Sequence, residues 1–182
     1  ITLTHSGLIK RINVSSYRAQ RRGGKGVIGM VTREGATEED KDFIEHLFTA
    51  STHDYLMFFT NTGRAYVERV HEIPDMGRAA KGRSIANLLE LKHGEAIAAL
   101  IRITAKTGAN REENTWQQPG FLFFATRQGT VKKTPLEDFG NVRKGGIIAI
   151  GIDSGDTLID VKLTSGQDQV VLITHDGMSI RF

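Results

Sequence analysis

Residues 59–69 read FTNTGRAYVER: an apolar lead-in, a Thr, two variable residues, a Gly and a renewed strand-like pattern. The same design returns in LTHSGLIKR at 3–11, ATRQGTVKKT at 125–134 and ITHDGMSIRF at 173–182. The aligned threonines are Thr4, Thr60, Thr126 and Thr174, and the aligned glycines are Gly7, Gly63, Gly129 and Gly177. T-x-x-G between two strand runs is a hairpin. Its central pair suits a type I turn, and Gly supplies the positive φ needed at the bulge position. Recurrence at intervals long enough for several strands makes the chain a repeat array.

The lead-in runs YLMFF at 55–59 and FLFF at 121–124 are continuously apolar and too short for helices, which predicts strands covered on both faces. The strands after the glycine mix apolar and basic residues, as in Leu8-Ile9-Lys10-Arg11 and Thr130-Val131-Lys132-Lys133. Alternation would send one face into a core and carry the cations outward. Behind each complete hairpin comes a basic glycine loop, at Lys25-Gly26, Lys81-Gly82 and Lys144-Gly145. The contexts RRGGKGVIGM, GRAAKGRSIANLL and NVRKGGIIAIGI predict that each loop feeds another apolar strand. The polar stretches 32–42 and 107–119 read as surface connections, and for 38–47 and 85–91 the repeat favours strand over a short helix. The expected fold class is all-β, a propeller-like array of four-stranded blades that can be incomplete or open. It is read as a single domain over 1–182 with about four repeat units starting near 1, 55, 120 and 169.

Composition bounds the chemistry. The 182 residues are 39 % apolar, enough for one domain or a continuous repeat core. No run approaches the roughly 18 apolar residues of a membrane span, and the opening ITLTHSGLIK lacks a signal peptide's apolar centre. Cys is absent, which excludes disulfides, thiol nucleophiles and cysteine metal sites and is compatible with a reducing cytoplasm. Net charge is only +3, but its distribution is uneven. Residues 1–30 carry Lys10, Arg11, Arg18, Arg21, Arg22 and Lys25 with no acid, and Glu34, Glu38, Glu39, Asp40, Asp42 and Glu45 follow. Positive potential is therefore focused at one end.

The centre of that basic segment is QRRGGKG at 20–26. Residues 24–29 satisfy G-x-G-x-x-G, yet neither the preceding strand nor the following helix of a dinucleotide site fits, and no P-loop sequence is present. Two readings remain: a solvated loop with incidental charge, or a flexible phosphate hook. In the second, Arg21 and Arg22 present planar forks, Lys25 adds a point charge, and Gly23, Gly24 and Gly26 allow close backbone approach, with Gln20 able to hydrogen-bond a phosphate or base edge. Lys10, Arg11, Arg64, Arg78, Lys81, Arg83, Lys132, Lys133, Arg143 and Lys144 place similar cations at similar points of successive modules, a row that could follow a bent polyanion. His5, His53 and His175 lie near turns with no metal-pair spacing, and no carboxylate pair is isolated for catalysis. No catalytic, metal or cofactor site is expected in this chain. A propeller that binds protein, through acidic 34–45 or apolar 85–91, is the alternative of another class.

On QRRGGKG, the preceding SSYRA at 15–19, STHDYLMFFTNTGRAYVERVHEIP at 51–74, GRAAKGRSIANLL at 77–89 and the T-x-x-G repeats, the sequence resembles the C-terminal domain of DNA gyrase A subunits over essentially its whole length. The resemblance implies a β-pinwheel that binds and wraps duplex DNA around a basic rim and guides it to the breakage gate for ATP-dependent negative supercoiling. It implies that Gln20, Arg21, Arg22, Gly23, Gly24, Lys25 and Gly26 form the gyrase A box. Implied partners are duplex DNA, the rest of the gyrase A chain, and gyrase B in an A2B2 assembly, in the cytoplasm with the bacterial chromosome. ATP and Mg2+ belong to that assembly, and the catalytic tyrosine to an upstream domain, so Tyr17, Tyr55 and Tyr66 receive structural or contact roles. The topoisomerase IV A subunit resembles the same fold with a degenerate or missing box, and the intact QRRGGKG favours gyrase. Family members commonly have six blades. Four hairpins, the last stopping at Phe182 without a basic loop behind it, imply a partial domain or open array.

Overall fold

The computed structural model describes residues 1–32, 41–106 and 108–182. The first hairpin joins β1 (Thr2–Thr4) to β2 (Leu8–Lys10), and β3 (Ile44–Leu47) follows. The second joins β4 (Tyr55–Thr60) to β5 (Arg64–Arg69), followed by β6 (Arg83–Ser84) and β7 (Ile97–Ile103). After helix α1 (Arg111–Trp116), the third joins β8 (Phe121–Thr126) to β9 (Val131–Pro135), with β10 (Ile147–Ile148) and β11 (Leu158–Thr164) behind it. The fourth is β12 (Val171–Ile173) with β13 (Ser179–Arg181).

All four T-x-x-G tips share one construction. The glycine N–H donates to the threonine carbonyl, and the glycines have φ of +80°, +81°, +90° and +79°. The next N–H donates to the threonine hydroxyl, at 3.1 Å for Leu8, 3.2 Å for Arg64, 3.0 Å for Thr130 and 3.2 Å for Met178. Threonine recurs because its Oγ1 satisfies a backbone donor that the tight tip leaves unpaired.

The strands assemble as antiparallel sheets ordered β3-β1-β2-β6, β10-β5-β4-β7, β11-β8-β9 and β12-β13. This is an all-β arrangement whose four-stranded sheets resemble propeller blades and do not close into a barrel. The strands behind the second and third basic loops pair with the hairpin one blade earlier: Leu8↔Ser84 and Ile9↔Arg83, then Ala65↔Ile147 and Arg64↔Ile148. Gly82 (φ +81°) and Gly146 (φ +68°) make this transfer possible, since a Cβ there would lie 3.0 Å from the Ile9 carbonyl oxygen or 2.9 Å from that of Ala65. Gly146, and not Gly145, is therefore the counterpart of Gly82. Ile85 N–H then donates to Gly7 O at 2.8 Å, and Ala149 N–H to Gly63 O at 2.9 Å.

YLMFF is covered on both faces. Leu56 and Phe58 pack with Leu3, Ile9, Val70 and Ile85, while Tyr55, Met57 and Phe59 pack with Leu122, Phe124 and Phe139. Each hydrophobic cluster thus fills the space between neighbouring blades, as period-two alternation requires of a central strand.

Three local expectations are corrected. Residues 85–91 hold a 3₁₀ turn, Ile85–Asn87, because the chain leaves the first blade immediately after β6; its Leu88 and Leu89 N–H groups fold back on Ile85 O. The polar stretch 107–119 contains α1, which buries Trp116 beside Tyr55. Residues 27–30 form no strand: they pair with no hairpin among the described residues, and Val27 and Ile28 are exposed. Glu34, Glu38, Glu39 and Asp40, and Thr107, lie outside the described residues.

Candidate nucleic-acid interface

The box at 20–26 is an exposed loop that closes on itself. Gly24 N–H donates to Arg21 O at 3.0 Å, and Gly23 (φ +81°) takes the left-handed corner of that turn. Gln20 Oε1 accepts from Gly26 N–H at 2.9 Å, so this side-chain oxygen holds the loop shut instead of reaching outward. Arg21, Arg22 and Lys25 point into solvent, and among the described residues no carboxylate pairs with them. Behind the box, buried Met30 anchors the chain against the second basic loop; a Cβ on Gly82 would meet its methyl at 2.8 Å.

That second loop exposes Lys81 and Arg83 and half-exposes Arg78, the third exposes Arg143 and Lys144, and Arg18 is exposed ahead of the box. Lys132 and Lys133 lie on exposed β9, with Lys132 Nζ 2.7 Å from Ala149 O and Lys133 Nζ 5.0 Å from the Phe121 ring centroid. Three cations expected to face outward are committed internally. Lys10 is fully buried, and its ammonium donates to the carbonyls of Gly77 (3.1 Å), Arg78 (2.5 Å) and Ala80 (2.9 Å). Burial lowers its pKa from the ordinary lysine value. Arg64 donates to Gly145 O and Gly146 O and sits 3.6 Å from Glu95. Arg11 donates to Ile73 O and pairs with Asp75, both at 2.8 Å. Period-two alternation assigned Lys10 to an outer face, but β6 and its loop cover that face.

A second repeat escaped the sequence reading. Asp42, Glu95 and Asp156 each stand two residues before an aliphatic strand position, in DFI, EAI and DTL. Each accepts from the residue before a hairpin glycine: Ser6 N–H at 2.8 Å, Thr62 hydroxyl at 3.0 Å and Gln128 N–H at 3.0 Å. Burial opposes the charged form of all three, but hydrogen bonds outweigh it and lower their pKa values: from Ser6, Thr4 and Phe43 at Asp42, from Lys92, Tyr66 and Thr62 at Glu95, and from Thr126, Thr157, Gln128 and Arg127 at Asp156. Acid-x-aliphatic recurring behind the first three T-x-x-G hairpins was the available signal.

The family model described as "DNA gyrase C-terminal domain, beta-propeller" matches residues 1–51, 54–104 and 120–165, segments that coincide with the first three hairpins and their outer strands. The DNA gyrase A subunit of Halalkalibacterium halodurans is 45 % identical over the whole chain, and that of Clostridium acetobutylicum 42 %. The chain spans 20 % of the length of each of these relatives. Among solved structures, the C-terminal domain of a DNA topoisomerase IV superposes with TM-score 0.74 at 29 % identity, covering 99 % of this chain and 50 % of that one. A DNA gyrase A C-terminal domain superposes with TM-score 0.62 at 22 % identity, a likeness of fold, covering 99 % of this chain and 52 % of that one. With its repeated hairpins, exchanged strands and three matched modules, the chain belongs to the DNA gyrase C-terminal domain, beta-propeller family.

Proposed function

We propose that this chain is the duplex-binding and wrapping module of a gyrase A subunit, and that its box and basic loops hold curved DNA by its phosphates. The observation that carries this reading is the solvent-facing group Arg21, Arg22 and Lys25, without a carboxylate partner among the described residues, on a segment whose Met30 packs against Gly82 of the loop bearing Lys81. Guanidinium forks and an ammonium on a glycine-rich loop suit a phosphate backbone, and none of them selects a base. Arg18, Arg78, Arg143, Lys144, Lys132 and Lys133 extend the contact surface, and Gln20, Gly23, Gly24 and Gly26 shape the box. The intact box and the identity to gyrase A subunits favour gyrase over topoisomerase IV.

In this reading the chain works within an assembly of gyrase A with gyrase B, on the bacterial chromosome in the cytoplasm, and ATP-dependent chemistry takes place elsewhere in that assembly. Among the described residues no group of three or more His, Asp or Glu is placed to hold a metal, and no helix is long and apolar enough to cross a membrane. In this reading ATP and Mg2+ are bound by other parts of that assembly.

The test is R21A/R22A/K25A in the intact protein, with duplex affinity measured against salt. If each cation neutralises one phosphate, the slope of log K against log[salt] becomes shallower by up to about 2.7, and supercoiling by the reconstituted enzyme falls. A folded variant with unchanged slope and unchanged supercoiling removes the box from the interface.

A further inference from the structure

We propose that Lys10 is a positioning residue for the second basic loop: its buried ammonium organises residues 77–81 so that Arg78 and Lys81 meet phosphate, and it touches no nucleic acid itself. This rests on the duplex-binding function proposed for the chain. An ammonium has three N–H donors and no acceptor. Lys10 places all three on carbonyls of this loop, those of Gly77, Arg78 and Ala80, and it is fully buried. The loop otherwise has one internal backbone bond, Ala80 N–H to Gly77 O at 3.0 Å. Three carbonyls pointed at one cation turn the loop's oxygens inward, and Lys81 and Arg83 are left exposed. Burying an ammonium is costly unless its donors are satisfied, so the cage and the cation require each other.

The arrangement recurs one blade on. Arg64, also on the strand behind a T-x-x-G glycine, donates to the carbonyls of Gly145 (2.5 Å) and Gly146 (3.1 Å) beside exposed Arg143 and Lys144. In both blades a cation of one hairpin holds the basic loop supplied by the next module. Loop geometry is thereby tied to the strand exchange between blades.

Two measurements on the intact protein test this. Reductive methylation of wild-type protein should leave Lys10 unmodified with or without duplex, while Lys81 reacts freely and is protected when duplex binds. Lys10 reacting as fast as Lys81 in free protein overturns the proposal, and this measurement needs no variant. In K10M, amide exchange across 77–82 should accelerate about tenfold or more while the hairpin amides of the second and third blades stay protected. Duplex affinity should fall at every salt concentration, with K10R restoring part of it. Unchanged exchange in folded K10M, with a salt slope shallower by about 0.9, makes Lys10 a direct phosphate contact and overturns it. If R78A/K81A leaves duplex affinity unchanged while K10M still loosens the loop, the DNA reading of this loop fails and the organising role of Lys10 survives.

Discussion

At the scale of single residues, the hairpin glycines differ in what surrounds the same backbone conformation. Gly63 (φ +81°) lies where a Cβ would come 2.3 Å from Ile150 O, whereas Gly129 (φ +90°) has nothing within 4 Å. G129A should cost only the left-handed strain, about 1–2 kcal/mol. G63A adds a clash with backbone and should cost about 2–5 kcal/mol. Urea denaturation of the two variants checks the order; equal losses would mean the close approach to Ile150 contributes nothing. The acid clamps make a pH prediction. Glu95, whose side chain is 2 % exposed, and Asp42 have pKa values lowered by their hydrogen bonds, with burial working against them. A lowered carboxylate pKa contributes stability above the unfolded value, 4.5 for Glu95 and 3.8 for Asp42, that is lost as pH falls through the folded value. E95Q should therefore lose about 1–3 kcal/mol near neutrality and flatten the acid limb of the stability curve. An acid limb as steep as in wild type would exclude Glu95 as its source.

At the scale of elements, two-residue strands hold the blades together. β6 and β10 are too short to be stable alone, and each borrows its edge from the hairpin one blade earlier. The hydrogen bonds just beyond them, Ile85 N–H to Gly7 O and Ala149 N–H to Gly63 O, enter the clusters between blades. Ala149→Pro removes one of these donors and leaves Gly63 O only the 3.2 Å bond from Ile150 N–H, a loss of about 0.5–1.5 kcal/mol. The same variant should also separate the exchange behaviour of the second and third blades, seen as faster opening of amides in β10 and β5. Retained cooperativity would mean that side-chain packing alone couples the blades.

At the scale of the whole molecule, the proposed duplex-binding function with basic loops on successive blades predicts binding that depends on duplex length. Bending 20–30 base pairs through 40–90° costs about 1–6 kcal/mol in smooth elastic estimates, and contacts at the second and third loops must offset it. A duplex too short to pass from the box to Arg143 and Lys144 should bind with a salt slope shallower by about 0.9 for each phosphate the protein no longer reaches. Titration of short and long duplexes against salt checks this, and equal slopes would confine binding to one loop.

The hairpins, the doubly covered β4 and the exposed box were legible in the sequence because each depends on local chemistry: a threonine hydroxyl, a positive-φ glycine, an apolar run and unpaired cations. FLFF, expected to be covered in the same way, buries Leu122 and Phe124 but leaves Phe121 and Phe123 half-buried. Which strand the basic loops feed was not legible, because a two-residue strand carries no periodicity and its partner lies in another module. For the same reason Lys10 read as an outward cation. Alternation placed it on the face away from its own hairpin's core, and only the exchanged loop arriving from 77–80 turned that face into an interior. Local pattern determined what each module is made of. Pairing between distant modules decided which charges remain in water, since burial is set by whatever the tertiary fold lays on top.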